Sequence, residues 1–338
     1  VEKRLFKWIT TLCILVVILI GVSAFSLSLG PAGLHLTRIA RLLFGGQGSA
    51  TEYAILFDIR LPRILLGLAI GGSLSLSGVI LQALFRNPLV EPYTLGISGG
   101  ASLGVSLGTV LGLTGVLGVY SLPAFGFIGA ICVIVLLSLS MNKAVLNLQG
   151  LLLTGVMISF ISSSAVLLIM SISRVEDLHG ILFWIIGSLG ETDWLPVKLA
   201  LVAAFSGLVI AYFFCFDLNA LSLGEEDALH LGVSVERTKR LLLLLASLLT
   251  GLSVSLVGAI GFVGLVVPHF VRMFVGTDHR ILLVSSFVSG AIFLIFCDGV
   301  AKSVAQPLEL PVGVVTGLLG GTLFIYAMMR RTGLGRSR

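Results

Sequence analysis

RLPRILLGLAIGGSLSLSGVILQALFRNPLVEPYTLG, residues 60–96, carries two arginines, runs uncharged from Ile64 to Phe85, and then meets Arg86, Pro88 and Pro92. A membrane-spanning helix needs about 20 apolar residues, because the hydrocarbon core is about 30 Å thick and a helix rises 1.5 Å per residue. The stretch 61–84 therefore reads as one span. Shifted by 180 residues, the segment lies against RLLLLLASLLTGLSVSLVGAIGFVGLVVPHFVRMFVG, 240–276, and twelve of 37 positions match without a gap. Shared leucines mean little in apolar segments. Matches such as Gly71/Gly251, Ser73/Ser253, Ser75/Ser255, Gly78/Gly258, Pro88/Pro268 and Gly96/Gly276 in one register mark an internal repeat. In each copy a proline removes an N–H and clashes with the preceding turn, so the helix is expected to break at Pro88 and at Pro268. Non-helical backbone at membrane depth is tolerated only against protein or a water-filled path. For 86–92 a plain surface loop is an equal reading, because Arg86, Asn87 and Glu91 are polar.

Composition agrees with a chain that lives in lipid. Of 338 residues, 57% are apolar and 11% charged, and the mean hydropathy is +1.13. Sixteen acids and 21 bases cannot cover a soluble globule of this size. Barrel strands alternate apolar and polar and do not reach such hydropathy. The fold class is an all-α polytopic membrane protein, one transmembrane domain over 1–338. The net charge of +5 comes from bases scattered singly, which reads as membrane topology and gives no nucleic-acid partner. Cys13, Cys132, Cys215 and Cys297 lie in apolar runs without a C-x-x-C, so no metal site is expected of them.

Uncharged runs of spanning length fall near 9–29, 61–84, 95–117, 122–140, 150–170, 195–215, 241–262, 281–297 and 312–329. A shorter run at 265–275 makes a tenth span, and 180–189 is too short to cross and reads as an interfacial helix. With ten spans and both termini cytoplasmic, fourteen Lys and Arg fall inside and seven outside, which suits the positive-inside bias. The repeat halves are about 60–180 and 240–330, and an odd number of crossings separates their first helices. The repeat is thus of inverted topology, the symmetry of a transporter whose site opens to either side in turn. Forty-one glycines gather in runs such as GISGGASLG, 96–104, where Gly99 and Gly100 suit close helix packing or the wall of a permeation path.

The energy source is read by elimination. Asp298 and Glu309 lie near helix ends, His269 lies on the short helix after a proline, and no helix centre carries a clear carboxylate for ion coupling. A nucleotide loop needs a Gly-Lys pair, which the chain lacks. An ATP site, if any, belongs to another polypeptide. The segment 217–240, DLNALSLGEEDALHLGVSVERTKR, is the longest charged stretch. Ser222 before Gly224, Glu225 and Glu226 offers a helix start and Gly232 a stop, so a short helix pair that docks on a soluble engine is expected there, against a plain solvated loop.

The motifs RLPR at 60–63, SGVILQALFRNPLVEPYTLGISGGA at 77–101, WIIGSLG at 184–190, LSLGEEDALHLGV at 221–233, GAIGFVGLVVPHFVRMFVGTDHR at 258–280 and CDGVAKSVAQPLELPVGVVTGLLGG at 297–321 resemble those of FecCD-type permeases. These are the membrane subunits of type II ABC importers for iron–siderophore complexes, haem and cobalamin. The resemblance runs from about residue 22 to 330. It implies a homodimer with a path on its two-fold axis, two copies of a separate ABC ATPase that holds ATP and magnesium, an extracytoplasmic substrate-binding protein, and no cofactor in this chain. It maps the ATPase-coupling motif onto Leu221, Leu223, Gly224, Ala228, Leu231 and Gly232, with Glu225 and Glu226 beside them. It maps the basic positions that meet the binding protein onto Arg60, Arg63 and Lys302, the last usually Arg. An inner gate falls near Leu148 and Gln149, and Thr322 stands where the family has a proline, which weakens a helix start there. The rivals are an ion-coupled secondary transporter or channel, and an intramembrane enzyme, for which no paired acids, H-E-x-x-H or Ser/His pair is found.

Overall fold

The computed structural model describes residues 2–30, 35–43, 45–46, 48–115, 117–142, 148–190, 193–305 and 308–334. These residues form fifteen α-helices and no strand. In chain order they are α1 (Glu2–Ser28), α2 (Leu36–Leu43), α3 (Ala50–Ala54), α4 (Leu61–Leu84), α5 (Ile97–Val110), α6 (Ser121–Asn142), α7 (Leu148–Ile172), α8 (Val175–Ile186), α9 (Trp194–Phe213), α10 (Cys215–Leu223), α11 (Glu225–His230), α12 (Val235–Val257), α13 (Val263–Val275), α14 (His279–Val304) and α15 (Val312–Leu334). A π-helical turn, Ile55–Arg60, joins α3 to α4. Eight segments are long and apolar enough to cross a membrane, and α5 and α13 are shorter apolar helices. The ten expected spans each correspond to one of these ten. The interfacial helix expected at 180–189 is α8, which starts five residues earlier behind Arg174.

α4 is the axis of the fold. Almost all of it is buried, against α9, α12, α13 and α14. Its small residues let backbones touch: Gly71 lies on the carbonyl of Gly290 in α14, and Gly78 on the carbonyl of Gly264 in α13. Lipid tails are as apolar as leucine, so such close van der Waals contact takes over the role that hydrophobic burial has in water. α1, α7 and α15 are the opposite case, apolar but largely exposed within one copy of the chain.

α4 stops in a Schellman turn: Arg86 N–H donates to Ala83 O at 3.2 Å, and Asn87 N–H to Gln82 O at 3.2 Å. The left-handed residue of such a turn is usually glycine, but here it is Arg86, at φ +48°. α4 ends and α12 begins beside the same segment. A Cβ built on Gly224 would stand 3.9 Å from Arg86 Nη1, and Glu225 pairs with Lys239 of α12 at 2.5 Å. The two repeat-related helices therefore cross in opposite directions.

One expectation is corrected. Pro268 does not break its helix, for it lies inside α13, and the break comes earlier, at 258–262. A proline strands the carbonyl four residues back, which is that of Gly264. Gln82 Nε2 donates to that carbonyl at 3.2 Å and to Leu265 O at 3.3 Å, so the helix continues with its backbone satisfied. In the first copy the break after α4 is present, and only a single 3-10 turn, Pro92–Leu95, precedes α5. At Thr322, α15 runs on without a break, and the hydroxyl bonds back to Leu318 O at 2.8 Å.

Candidate functional site

The two segments outside the α-helices, 90–96 and 258–262, meet inside the bundle. The Tyr93 hydroxyl donates to Ile260 O at 2.9 Å and accepts from Ile260 N–H at 2.8 Å. Glu91 Oε1 accepts from Phe262 N–H at 2.5 Å. Phe262 has φ +69°, a region that disfavours any residue with a Cβ. Pro92 packs on Gly264, where a Cβ would meet its Cδ at 2.6 Å. Side chains of the first broken segment thus satisfy backbone groups of the second, as backbone within a membrane requires.

The charged segment forms a compact knot. α10 continues α9, Gly224 turns the chain, and α11 carries Glu225, Glu226 and Asp227 in its first turn, where the helix dipole favours acids. Gly232, at φ +85°, ends the turn. Ser222 is not the helix start that the sequence suggests: it closes α10, with its hydroxyl on Leu218 O at 2.8 Å. Leu221 and Ala228 are buried and tie the knot to the core, while Leu223, Leu229 and Leu231 stand exposed. Beside it, Asp278 accepts from Arg4 Nη2 at 3.0 Å, Arg280 Nη2 at 2.6 Å and Asn219 Nδ2 at 3.2 Å. The Arg280 hydrogen bonds hold the Asp278 carboxyl well below the usual carboxylate range. The guanidinium groups of Arg4 and Arg280 each lie 5.1 Å from the Trp8 ring. The start of α1 is thereby pinned to the charged segment's side of the bundle.

At the other end, the three basic residues expected to stand open are all buried. Arg60 donates to Leu27 O. Arg63 grips Asp298 through Nη2 at 2.8 Å and Nε at 3.0 Å, and its Nη1 reaches Glu309 at 2.7 Å. Lys302 pairs with Asp298 at 2.7 Å, one helical turn along α14. The physical reason is general: a charge taken out of solvent needs a partner, a carboxylate for Arg63 and Lys302 and a backbone carbonyl for Arg60. Of the four members of this network only Glu309 is accessible, its side chain 49% exposed. Asp298 and Glu309, the carboxylates considered for ion coupling, are both engaged here. The i, i+4 spacing of Asp298 and Lys302 is the signal that could have revealed the pair. Nothing local in sequence points to Gln82, Glu91 or Tyr93, whose partners in the second repeat lie 167 to 190 positions away.

Gly99 and Gly100 lie on two faces of α5. Gly99 faces Ser159 and Ser162 of α7, and Gly100 faces Gly129 and Val133 of α6. Gly100 also lines an apolar cavity of about 470 Å3 between α5, α6 and α7. Leu148 and Gln149 start α7, half-buried and exposed respectively, apart from the broken segments. Among the described residues no cluster of three metal-ligating side chains occurs.

A family model described as the FecCD transport family matches residues 15–330. The chain is 38% identical over 308 residues to the hemin transport system permease protein HmuU of Yersinia pestis, covering 90% of this chain and 92% of that one. It is 40% identical over 282 residues to the cobalamin import system permease protein BtuC of Halobacterium salinarum, covering 83% and 75%. A solved structure described as an inward-facing metal-chelate type ABC transporter superposes with a TM-score of 0.83 at 31% identity, over 95% of this chain and 99% of that one. With the inverted helices, the paired breaks and the motifs all in place, this chain belongs to the FecCD transport family.

Proposed function

We propose that the chain is the permease subunit of an ABC importer, carrying a metal chelate such as haem, an iron–siderophore complex or cobalamin across the cytoplasmic membrane. It works as a homodimer with two copies of an ATPase subunit, which hold ATP and magnesium, and with an extracytoplasmic binding protein that delivers the chelate. Both termini face the cytoplasm. The Lys and Arg bias supports that orientation, as does the Arg4 clamp on the side of the charged segment. The chain itself is a transport subunit and not an enzyme.

The observation that carries this reading is the knot at 221–233. A charged, folded segment that leaves Leu223, Leu229 and Leu231 exposed, while Leu221 and Ala228 anchor it, has the make-up of an interface with a soluble partner. We assign it, with Gly224, Glu225, Glu226 and Gly232, to the ATPase. Its ties to Arg86 and Lys239 carry a push into α4 and α12. Arg60, Arg63 and Lys302 are assigned to the binding protein, whose acids would take the place of Glu309. Gly99, Gly100 and Pro268 belong to the helices beside the path, and Leu148 and Gln149 to its inner gate.

The test is reconstitution in vesicles with haem outside and ATP inside. Uptake is expected only when an ABC ATPase subunit and a haem-loaded binding protein are both present. Leu231→Asp should abolish co-purification of the ATPase while the permease still folds. Accumulation by the purified chain alone, driven by a proton or sodium gradient, would overturn the proposal.

A further inference from the structure

α7 and α15 are lightly packed within the chain, and each rests on one of the broken segments. α7 rests on the first: a Cβ on Gly155 would meet Thr94 O at 2.6 Å, and one on Gly96 would meet Gly155 O at 2.7 Å. α15 rests on the second. Gly313 lies on the carbonyls of Ile186 and Ala259, and a Cβ on Gly320 would meet Phe262 Cβ at 2.5 Å. Helix and seat meet backbone to backbone at Gly155 and Gly313, and at Gly320 the α15 backbone lies directly on the Phe262 side chain, so a displaced seat displaces its helix.

The two seats are bolted together by Tyr93 on Ile260 and by Glu91 on Phe262. Phe262 sits in a left-handed conformation that its own side chain disfavours, and its N–H points at Glu91. That conformation also aims its ring at Gly320 and Gly321 of α15. Strain of this kind persists only where neighbours over-determine it.

We infer that Glu91 and Tyr93 are positioning residues for transport: they form a crossbar that fixes the seat of α7 relative to the seat of α15, so that the two helices move as one unit. The inference rests on the importer reading above. A merely structural role, in which the two side chains only satisfy stranded backbone, makes a different prediction. Variants would then fold less well, but the folded molecules would transport normally.

The first readout is haem uptake per ATP hydrolysed, measured on the whole complex in vesicles. Glu91→Ala and Tyr93→Phe should each lower this ratio about tenfold while hydrolysis continues, the factor that a lost hydrogen bond to a charged or buried group can produce. Glu91→Gln keeps a carbonyl acceptor for Phe262 N–H and should restore most of the ratio. Gly320→Ala, which presses on Phe262 from the α15 side, should reproduce the loss. The second readout does not need uptake. Spin labels on Leu168→Cys in α7 and Leu318→Cys in α15, both exposed positions, report the distance between the helices, with Cys13 and Cys132 replaced by serine. The distance distribution should broaden in Glu91→Ala and Tyr93→Phe and stay narrow in Glu91→Gln. An unchanged ratio with an unchanged distribution overturns the crossbar. So does a Glu91→Gln variant as defective as Glu91→Ala, which would trace the effect to charge. If the unsubstituted complex takes up no haem, the assignment of haem as cargo fails and the label distances alone decide the crossbar.

Discussion

Arg63 on α4 holds Asp298 on α14 with a two-nitrogen grip, Nη2 to Oδ1 at 2.8 Å and Nε to Oδ2 at 3.1 Å, and both side chains are buried. Lys302 shares the same carboxylate. Removing the acid therefore leaves two buried cations with only the half-exposed Glu309 between them. Asp298→Ala should destabilise the fold by about 3–5 kcal/mol, the cost of breaking a buried pair from one side. Thermal unfolding in detergent measures it, and a midpoint equal to the parent's would show that the network carries no stability.

Gln82 and Pro268 form a second such dependence, across the two repeats. Gln82→Leu should cost about 1–3 kcal/mol, because the Gly264 carbonyl is then buried without a donor. Pro268→Ala returns an N–H to the helix and should remove the need for Gln82 as donor to Gly264 O, though Gln82 also accepts from Arg272 Nη2 at 3.2 Å. In a double-mutant cycle the pair is expected to recover part of the loss from the single Gln82→Leu change, a coupling that independent sites would not give.

Close backbone contact makes a third prediction, with its own control. A Cβ on Gly78 runs into the Gly264 carbonyl, whereas at Gly21 nothing lies within 4 Å. Gly78→Ala should destabilise by at least about 1–3 kcal/mol, since backbone cannot step aside as a side-chain tip can. Gly21→Ala, in the exposed middle of α1, should be neutral or stabilising by up to about 1 kcal/mol. Unfolding midpoints of the two variants should move apart.

The Asp278 clamp predicts a pH dependence. Its carboxyl titrates lower in the folded chain than in the unfolded one, chiefly through the Arg280 hydrogen bonds. Its contribution is therefore complete above the unfolded pKa of about 3.9 and is lost only as pH falls below that, through the lower folded value. Asp278→Asn should be less stable than the parent at pH 7. The two unfolding curves should converge as the buffer is taken below about pH 4. Parallel curves across that range would mean that the carboxylate charge is not what holds Arg4 and Arg280.

What the sequence revealed followed from local physics. The span at 61–84 was legible because length and hydropathy alone set it, and α4 has those very bounds. The direction of the repeat came from counting crossings. The stop at Gly232 came from a residue whose backbone freedom matters at that point. Pro268 misled because a proline breaks a helix only when nothing donates to the stranded carbonyl, and the donor here is a glutamine far away in sequence. The basic cluster misled in the same manner. Arg63 looked like a surface charge until Asp298 and Glu309, more than 200 positions distant, were folded against it. Pairings across the repeat are tertiary facts, and no window along the chain contains them.

Thirteen residues of α13 give about 20 Å of rod, short of the roughly 30 Å of hydrocarbon. The five residues before it, 258–262, are irregular rather than helical, with Gly258 at φ +74° and Phe262 at φ +69°. This crossing is stiff in one half and a tether in the other. A rod fixes the distance between its ends by its pitch, but a tether fixes it only by what it is tied to. The eighth crossing therefore owes its span to Tyr93 and Glu91, which hold Ile260 and Phe262, as much as to its own helix.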